Sequence, residues 1–115
     1  MLSYEEVLSL VKEEYDTRRD ADHCEIVKTG LTYDGCNGFC VCIYNYGDVV
    51  KITDMGETKQ FFDQLTDEQW IDICTTNGFE FNHWRIERVF NSIEDLYMYI
   101  QFIDVISDMF FDIEE

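Results

Sequence analysis

The chain has 115 residues, of which 46% are hydrophobic and 16% aromatic, and its 25 acidic and eight basic residues give a formal net charge of −17. This length suits one domain, and the aromatic content is too high for a disordered chain. Such a charge repels polyanions, so it argues against direct binding to DNA, RNA or anionic lipid and favours a basic partner, such as a nucleic-acid-binding protein. The simpler interpretation is that the acidity only keeps the protein soluble.

The N-terminal sequence and the cysteines predict a cytoplasmic protein. The start MLSYEEVLSLVKEEY carries early acids and no small-residue cleavage site, unlike a signal peptide. No apolar run approaches the roughly 20 residues of a membrane-spanning helix. An odd number of cysteines without a secretion signal indicates free thiols in a reducing compartment. These are Cys24, Cys36, Cys40, Cys42 and Cys74.

A helix and a strand are predicted at the start of the chain. Ser3 and Glu6 have the spacing of a capping box, and the apolar residues that follow recur at helical spacing. This pattern predicts a helix from Tyr4 to Thr17, which the segment RRDADHC ends. EIVKTGLTY then predicts a strand, and DGCNG predicts a loop.

A β-hairpin is predicted around Gly47–Asp48, a pair of residues that favours a two-residue turn. The flanking segments FCVCIYNY and VVKIT alternate, and the turn pairs Ile43 with Ile52. Because paired residues share a face, this register collects five apolar side chains on the side of the core. They are Phe39, Val41, Ile43, Val50 and Ile52.

Two short helices and a second hairpin are predicted next. ETKQFFDQL predicts the first helix, and Thr66 with Gln69 forms the capping box of the second, which Asn77–Gly78 ends. FEFNHWRIERVF predicts a hairpin with Asn82–His83 as its turn. The resulting pairs would be Phe81–Trp84, Phe79–Ile86 and Glu80–Arg85.

A long helix is predicted from Ile93 to Phe111, with Ser92 as its N-cap. It carries more apolar surface than one packed face needs, because a second stripe lies beside the first. This second stripe consists of Met98, Phe102, Val105 and Met109. Either other elements surround the helix, or the stripe contacts a partner or a second copy of the chain.

Together these elements predict a single acidic α+β domain over residues 1–115. It would contain about five mostly antiparallel strands, as two hairpins plus one strand. The sheet would pack with an N-terminal helix, two short central helices and a long C-terminal helix.

Few patterns in the sequence point to catalysis, a metal or a cofactor. The cysteines lack the C-x₂-C spacing of zinc sites, and the chain has neither a Walker loop nor a dinucleotide fingerprint. We therefore expect no cofactor and no metal, and assign no catalytic residue. A thiol with His23 or His83, or a pair of carboxylates, could still act chemically. A Cys- or carboxylate-dependent hydrolase or nuclease-related enzyme thus remains an alternative.

The acidic residues concentrate in two segments. Residues 61–81 and 90–115 hold twelve acidic residues and no Lys or Arg. Rows of carboxylates on helices can occupy a groove evolved for phosphates, because Lys and Arg recognise both anions; the alternative is a solvated acidic face. The candidate partner-binding residues are Asp63, Asp67, Glu68, Asp72, Asp104, Asp108 and Asp112.

Three segments together resemble a known family: YNYGDVVKITDMGETKQFFDQL, TTNGFEFNHWRIERVF and YMYIQFIDVISDMF. Their order is similar to that of a small bacterial and phage family, the domain of unknown function 1828, over residues 25–111. The T-D-x-G signature of the family is matched by Thr53, Asp54 and Gly56, and the start of its following helix by Thr58. The resemblance implies a small α+β domain and brings no known activity. The acidity looks like that of versions in phages and mobile elements, where small acidic proteins inhibit host defence nucleases.

The leading functional hypothesis is therefore a non-enzymatic inhibitor in the host bacterial cytoplasm. It would occupy the basic nucleic-acid-binding groove of a host defence protein, in particular a CRISPR effector nuclease. The other alternative is a regulatory homodimer built through the second stripe of the last helix.

The stretch TDMGE is predicted to join a strand to a helix. Asp54 and Glu57 have capping-box spacing, so Asp54 would accept from early helix amides while Glu57 reaches back. Gly56 would lie in the first turn, where its missing side chain lets another segment approach. An anion site is disfavoured there, because both acids already bring negative charge to that helix start.

Overall fold

The computed structural model of the chain describes the backbone of residues 2–114 and the side chains of residues 2–110. In chain order its elements are α1 (Tyr4–Glu14), β1 (Thr17–Ala21), β2 (Cys24–Thr32), β3 (Gly38–Asn45), β4 (Val50–Thr53), α2 (Glu57–Phe61), α3 (Asp67–Thr76), β5 (Glu80–Asn82), β6 (Arg85–Val89) and α4 (Ile93–Glu114). The capping boxes predicted before α1 and α3 are both present.

The strands form one antiparallel sheet in the order β1-β2-β3-β4-β6-β5. The α+β class and the four helices are confirmed, whereas the sheet has six strands rather than about five. The additional strand is β1, whose sequence TRRDA lacks the apolar alternation that marks a strand. It lies at an edge of the sheet, where charged side chains are favoured. The first helix accordingly ends at Glu14 rather than Thr17, because Thr17 pairs with Val27 of β2.

The register of the first hairpin is confirmed. Ile43 pairs with Ile52, Asn45 pairs with Val50, and the amide of Tyr46 donates to the carbonyl of Val49 over 2.9 Å. The five apolar side chains predicted for the core face are all buried.

The predicted register of the second hairpin is wrong by one residue at the turn. The turn residues are His83 and Trp84, both at positive φ (51° and 70°), as a tight hairpin turn of the primed type requires. Phe81 therefore pairs with Ile86, and Glu80 lies opposite Glu87 instead of Arg85. The sequence favoured Asn82 in the turn because Asn tolerates left-handed backbone, but the observed register places Phe81 beside the buried Ile86.

A single buried cluster joins one face of the sheet to the helices. Its members include Val7 and Val11 from α1, Trp70 from α3, and Leu96 and Ile103 from α4. Burial of such side chains is the main source of stability. Among the described residues, no helix is both long and apolar enough to cross a membrane.

Candidate functional site

The carboxylate of Asp54 joins the start of α2 to strand β6. One oxygen accepts from the amides of Gly56 and Ile86, both over 3.0 Å, and the other accepts from the amide of Thr58 over 3.1 Å. Asp54 is only 3% exposed. Burial raises the pKa of this carboxyl above its usual range, against hydrogen bonds from Thr58, Gly56 and Ile86 that lower it. Asp54 is therefore fully engaged in holding the fold.

The predicted capping arrangement at TDMGE is correct in part. Asp54 does accept from an early helix amide, but the N-cap of α2 is Gly56, at φ 83°, and it makes no side-chain cap. The backbone carbonyl of Trp84 lies 3.5 Å from the position of a Cβ on Gly56, so the predicted close approach is present. Among the side chains that the structure describes, the Glu57 carboxylate accepts no hydrogen bond from the backbone amide of Asp54, so the capping box is incomplete.

Two exposed hydrophobic side chains flank this joint, and the sequence patterns did not single them out. Met55, at φ 58°, is 44% exposed, and Trp84 is 52% exposed. The Nζ of Lys59 lies 4.7 Å from the Trp84 ring centroid and 3.3 Å from an oxygen of Asp67. Both residues therefore present an apolar side chain to solvent from left-handed backbone beside this joint.

Burial opposes ionisation of several of the cysteines. Burial raises the pKa of Cys42 and of Cys74 to about 12, so both remain thiols at neutral pH. His23 packs against the Tyr44 ring with centroids 5.0 Å apart, and His83 lies in a hairpin turn. Within the described residues, no group of three or more His, Cys, Asp or Glu side chains could hold a metal ion.

A groove runs between α3 and α4, which lie antiparallel. One end is a cleft of about 260 Å³ lined by Asp72 and Met109 among others, and the other is a cleft of about 230 Å³ near Asn77 and Met98. The two clefts share Asn77, Phe102 and Val105, so they adjoin and together make up the depression between the two helices. We call it the α3–α4 groove. Its further lining residues are Ile73, Thr76, Phe79, Gln101 and Ile106.

The second stripe of the last helix borders this groove. Met98, Val105 and Met109 are 46%, 49% and 53% exposed, whereas Phe102 is buried at the bottom. A row of half-exposed large apolar side chains on one helix is the kind of surface that a partner covers. The structure thus leaves the predicted stripe largely open to contact.

The candidate acids of the α2–α3 segment do not share one location. Asp72 lines the groove beside Val105 and Met109. Glu68 is exposed one turn earlier on the same side of α3. Asp67 instead lies towards α2, where it pairs with Lys59, and Asp63 is exposed in the connection before α3.

The candidate acids of α4 lie on the outer side of the stripe. Asp108 is exposed and follows Val105 by three residues, so the two are neighbours on the helix surface. Asp104 and Asp108 face an open cleft of about 390 Å³ whose other wall is the β2–β3 connection, including Asp34. Hydrogen bonds from the amides of Asn37 and Cys36 hold the pKa of Asp34 below its usual range. The side chain of Asp112 lies outside the described residues.

The sequence did not predict that Asp34 lies across a cleft from the acids of α4, because this proximity depends on tertiary packing. The turn residues of DGCNG identify a loop but give no indication of which helix it approaches. The groove residues Thr76 and Asn77 were missed for the same reason, since they lie at the end of α3 without any sequence signal for binding.

Five of the eight basic residues form ion pairs with acids in the described part of the chain, among them Lys51 and Arg88. The Nζ of Lys51 lies 3.3 Å from Glu80 and 3.7 Å from Glu87, which relieves the repulsion of these opposed acids. The Nε of Arg88 donates to Asp95 over 2.8 Å. Arg88 also contacts Met98 and Phe79 at one end of the α3–α4 groove, whereas Asp72 lines the other end.

No family model, no curated protein and no solved structure matches the chain. The resemblance to the domain of unknown function 1828 stays a prediction.

Proposed function

We propose that the protein is a non-enzymatic acidic binding protein of phage or mobile-element origin. It inhibits a host defence protein, a CRISPR effector nuclease, by occupying the basic groove in which that protein binds nucleic acid. The α3–α4 face makes the contact, with its carboxylates in the place of phosphates.

One observation carries this proposal: half-exposed apolar side chains of α4 lie between Asp72 on α3 and Asp108 on the outer side of α4. Asp72 lines the groove from α3, and exposed Asp108 follows Val105 by three residues on α4, on the side of the stripe away from α3. Neither residues 61–81 nor residues 90–115 contain a Lys or Arg. A surface with an apolar centre and a rim of one charge favours a partner of the opposite charge.

The contact would combine two physical effects. Lys and Arg side chains that normally bind phosphate accept a carboxylate in the same geometry, through charge-assisted hydrogen bonds. Long-range attraction to a chain of net charge −17 also speeds the encounter. Both effects are screened by salt, with a Debye length of about 8 Å at physiological ionic strength. Binding should therefore weaken steeply as ionic strength rises.

The test is capture of a target from a bacterial lysate on the immobilised full chain, with identification by mass spectrometry. The captured nuclease is then assayed for DNA binding and cleavage with increasing amounts of the protein. We expect a nucleic-acid-binding protein whose activity is inhibited, and we expect DNA to compete for its capture.

Two variants of equal net charge locate the contact. The first neutralises acids beside the groove and its stripe: Glu68→Gln, Asp72→Asn, Glu94→Gln and Asp108→Asn. The second neutralises four exposed acids elsewhere: Glu5→Gln, Glu13→Gln, Asp20→Asn and Asp48→Asn. The first should lose inhibition and the second should keep it. Equal inhibition by both, or capture that DNA does not reverse, would show that the proposal is wrong.

A further inference from the structure

We infer that the α3–α4 groove binds an amphipathic α-helix of the target, whose apolar residues enter the groove while Lys and Arg on both its edges meet the bordering carboxylates. This inference rests on the proposed function, because it assumes a basic protein partner. It goes further by naming a helix, rather than an extended surface, as the element that docks.

The spacing of the stripe is that of a helix–helix contact. Met98, Phe102, Val105 and Met109 follow one another at intervals of four, three and four residues, which is the spacing of apolar seams between packed helices. From Met98 to Met109 the seam is about 17 Å long at 1.5 Å per residue. A partner helix of about three turns covers this length.

The floor of the groove is already formed. Phe102 is 9% exposed and Ile106 is 2% exposed, so they form a buried base beneath the open side chains of Val105 and Met109. Apolar side chains of a partner would fill the two clefts of about 260 and 230 Å³ without rearrangement of the core. A preformed groove of this kind lowers the entropic cost of docking.

The charge around the groove decides between possible occupants. In a symmetric dimer this face would meet its own copy, so Asp72 and Asp108 would approach acids of the same surface. Exposed Glu94, which precedes Met98 by one helical turn, adds to this repulsion. Like charges across an interface are strongly unfavourable, whereas a helix with Lys and Arg on both edges is complementary.

Labelled synthetic peptides of about 15 residues, long enough to form helix on binding, test the inference against the full chain by fluorescence anisotropy. One peptide has Leu at helical spacing and Lys elsewhere; the other has the same composition in an order that destroys the apolar face. We expect the first to bind at least about tenfold more tightly than the second. Equal affinities, or no binding by either peptide at low ionic strength, would overturn the inference.

Near-isosteric substitutions locate the contact on the protein. Val105→Thr combined with Met109→Gln should weaken binding of the amphipathic peptide about tenfold, since it makes the open wall of the groove polar. Ile71→Thr is the matched control, because Ile71 is 45% exposed on the other side of α3. Circular dichroism checks that each variant is folded. The same loss in both variants, or a loss in neither, would contradict docking in the groove.

The two proposals fail in different ways. If the target experiment succeeds while the amphipathic peptide has no advantage, the carboxylates act alone and only the groove inference is wrong. If the peptide binds as expected while no nucleic-acid-binding target is found, the groove inference stands and the nature of the partner has to be revised. Self-association of the chain in light scattering, lost with Val105→Thr and Met109→Gln, would identify a second copy as the occupant instead.

Discussion

Replacement of Asp54 should destabilise the fold by an amount that depends on how many amides lose their acceptor. Its two oxygens accept from three amides at 3.0–3.1 Å, of Gly56, Thr58 and Ile86. Asp54→Asn retains one accepting oxygen and replaces the other by an NH₂ group, which cannot accept a hydrogen bond. That group faces either the amide of Thr58 or the amides of Gly56 and Ile86. One unsatisfied buried donor costs about 1–3 kcal/mol. Asp54→Ala leaves all three amides without an acceptor, so we expect a loss of at least about 3 kcal/mol.

These losses are large relative to the roughly 5–15 kcal/mol of a typical domain. Urea denaturation, followed by tryptophan fluorescence and circular dichroism, measures the free energy of unfolding. Asp48→Asn, at an exposed turn position, is the control and should change it little. If Asp54→Asn stays within about 0.5 kcal/mol of the wild type, the three amides find other acceptors and the joint is not held as described.

The pH dependence supplies a second measurement on the same residue. Because burial raises the pKa of Asp54 in the folded chain, the folded state binds a proton more readily than the unfolded state. The contribution of Asp54 to stability is therefore complete below the pKa of the unfolded chain and is lost as the pH rises through the folded-state pKa. Asp54→Asn should lack this contribution, so the difference in stability between variant and wild type should change as the pH rises above the unfolded-state pKa.

Three further predictions follow from the same structure. Gly56→Ala should lower the free energy of unfolding, measured by urea denaturation, by about 1–2 kcal/mol, because φ is 83° at this position. Gly56→Asn should lower it less, because Asn tolerates left-handed backbone better than Ala. Equal losses would show that the left-handed conformation is not their cause. Tyr33→Phe should cost about 1 kcal/mol, because its hydroxyl shares a buried 3.0 Å hydrogen bond with Thr58. Burial acts to raise the pKa of Asp95, but hydrogen bonds from Arg88 and two amides outweigh it and lower that pKa. The contribution of Asp95 to the free energy of unfolding is therefore present above the unfolded-state pKa and lost as the pH falls through the folded-state pKa. Asp95→Asn should make the free energy of unfolding less dependent on pH in the acidic range. An unchanged pH dependence there would contradict this.

The first hairpin could be predicted because two independent signals agree. Gly47–Asp48 fixes the length of the turn, and the alternation on both sides fixes which residues face the core. The second hairpin offered no such agreement, since Asn82, His83 and Trp84 all compete for a two-residue turn. Its register depends on contacts remote in sequence, such as Lys51 lying between Glu80 and Glu87.

The candidate surface could be predicted residue by residue but not as an arrangement. The stripe and the acids were identified from helical spacing and from the absence of basic residues. Which acids share a surface depends on how α3 and α4 pack, and this separates Asp67, paired with Lys59, from Asp72 at the groove. Met55 and Trp84 gave no sequence signal, because their exposure follows from a left-handed backbone that neither residue type favours.

The distribution of charge along the chain bears on the role of the acidic residues. Residues 61–81 and 90–115 hold twelve of the 25 acidic residues and none of the eight basic ones. Described ion pairs join three of these twelve, Asp67, Glu80 and Asp95, to lysine or arginine from other segments. Solubility alone would be served by acids spread over the whole surface. Under the proposed function, the acids beside the half-exposed apolar groove would direct a basic partner to one face.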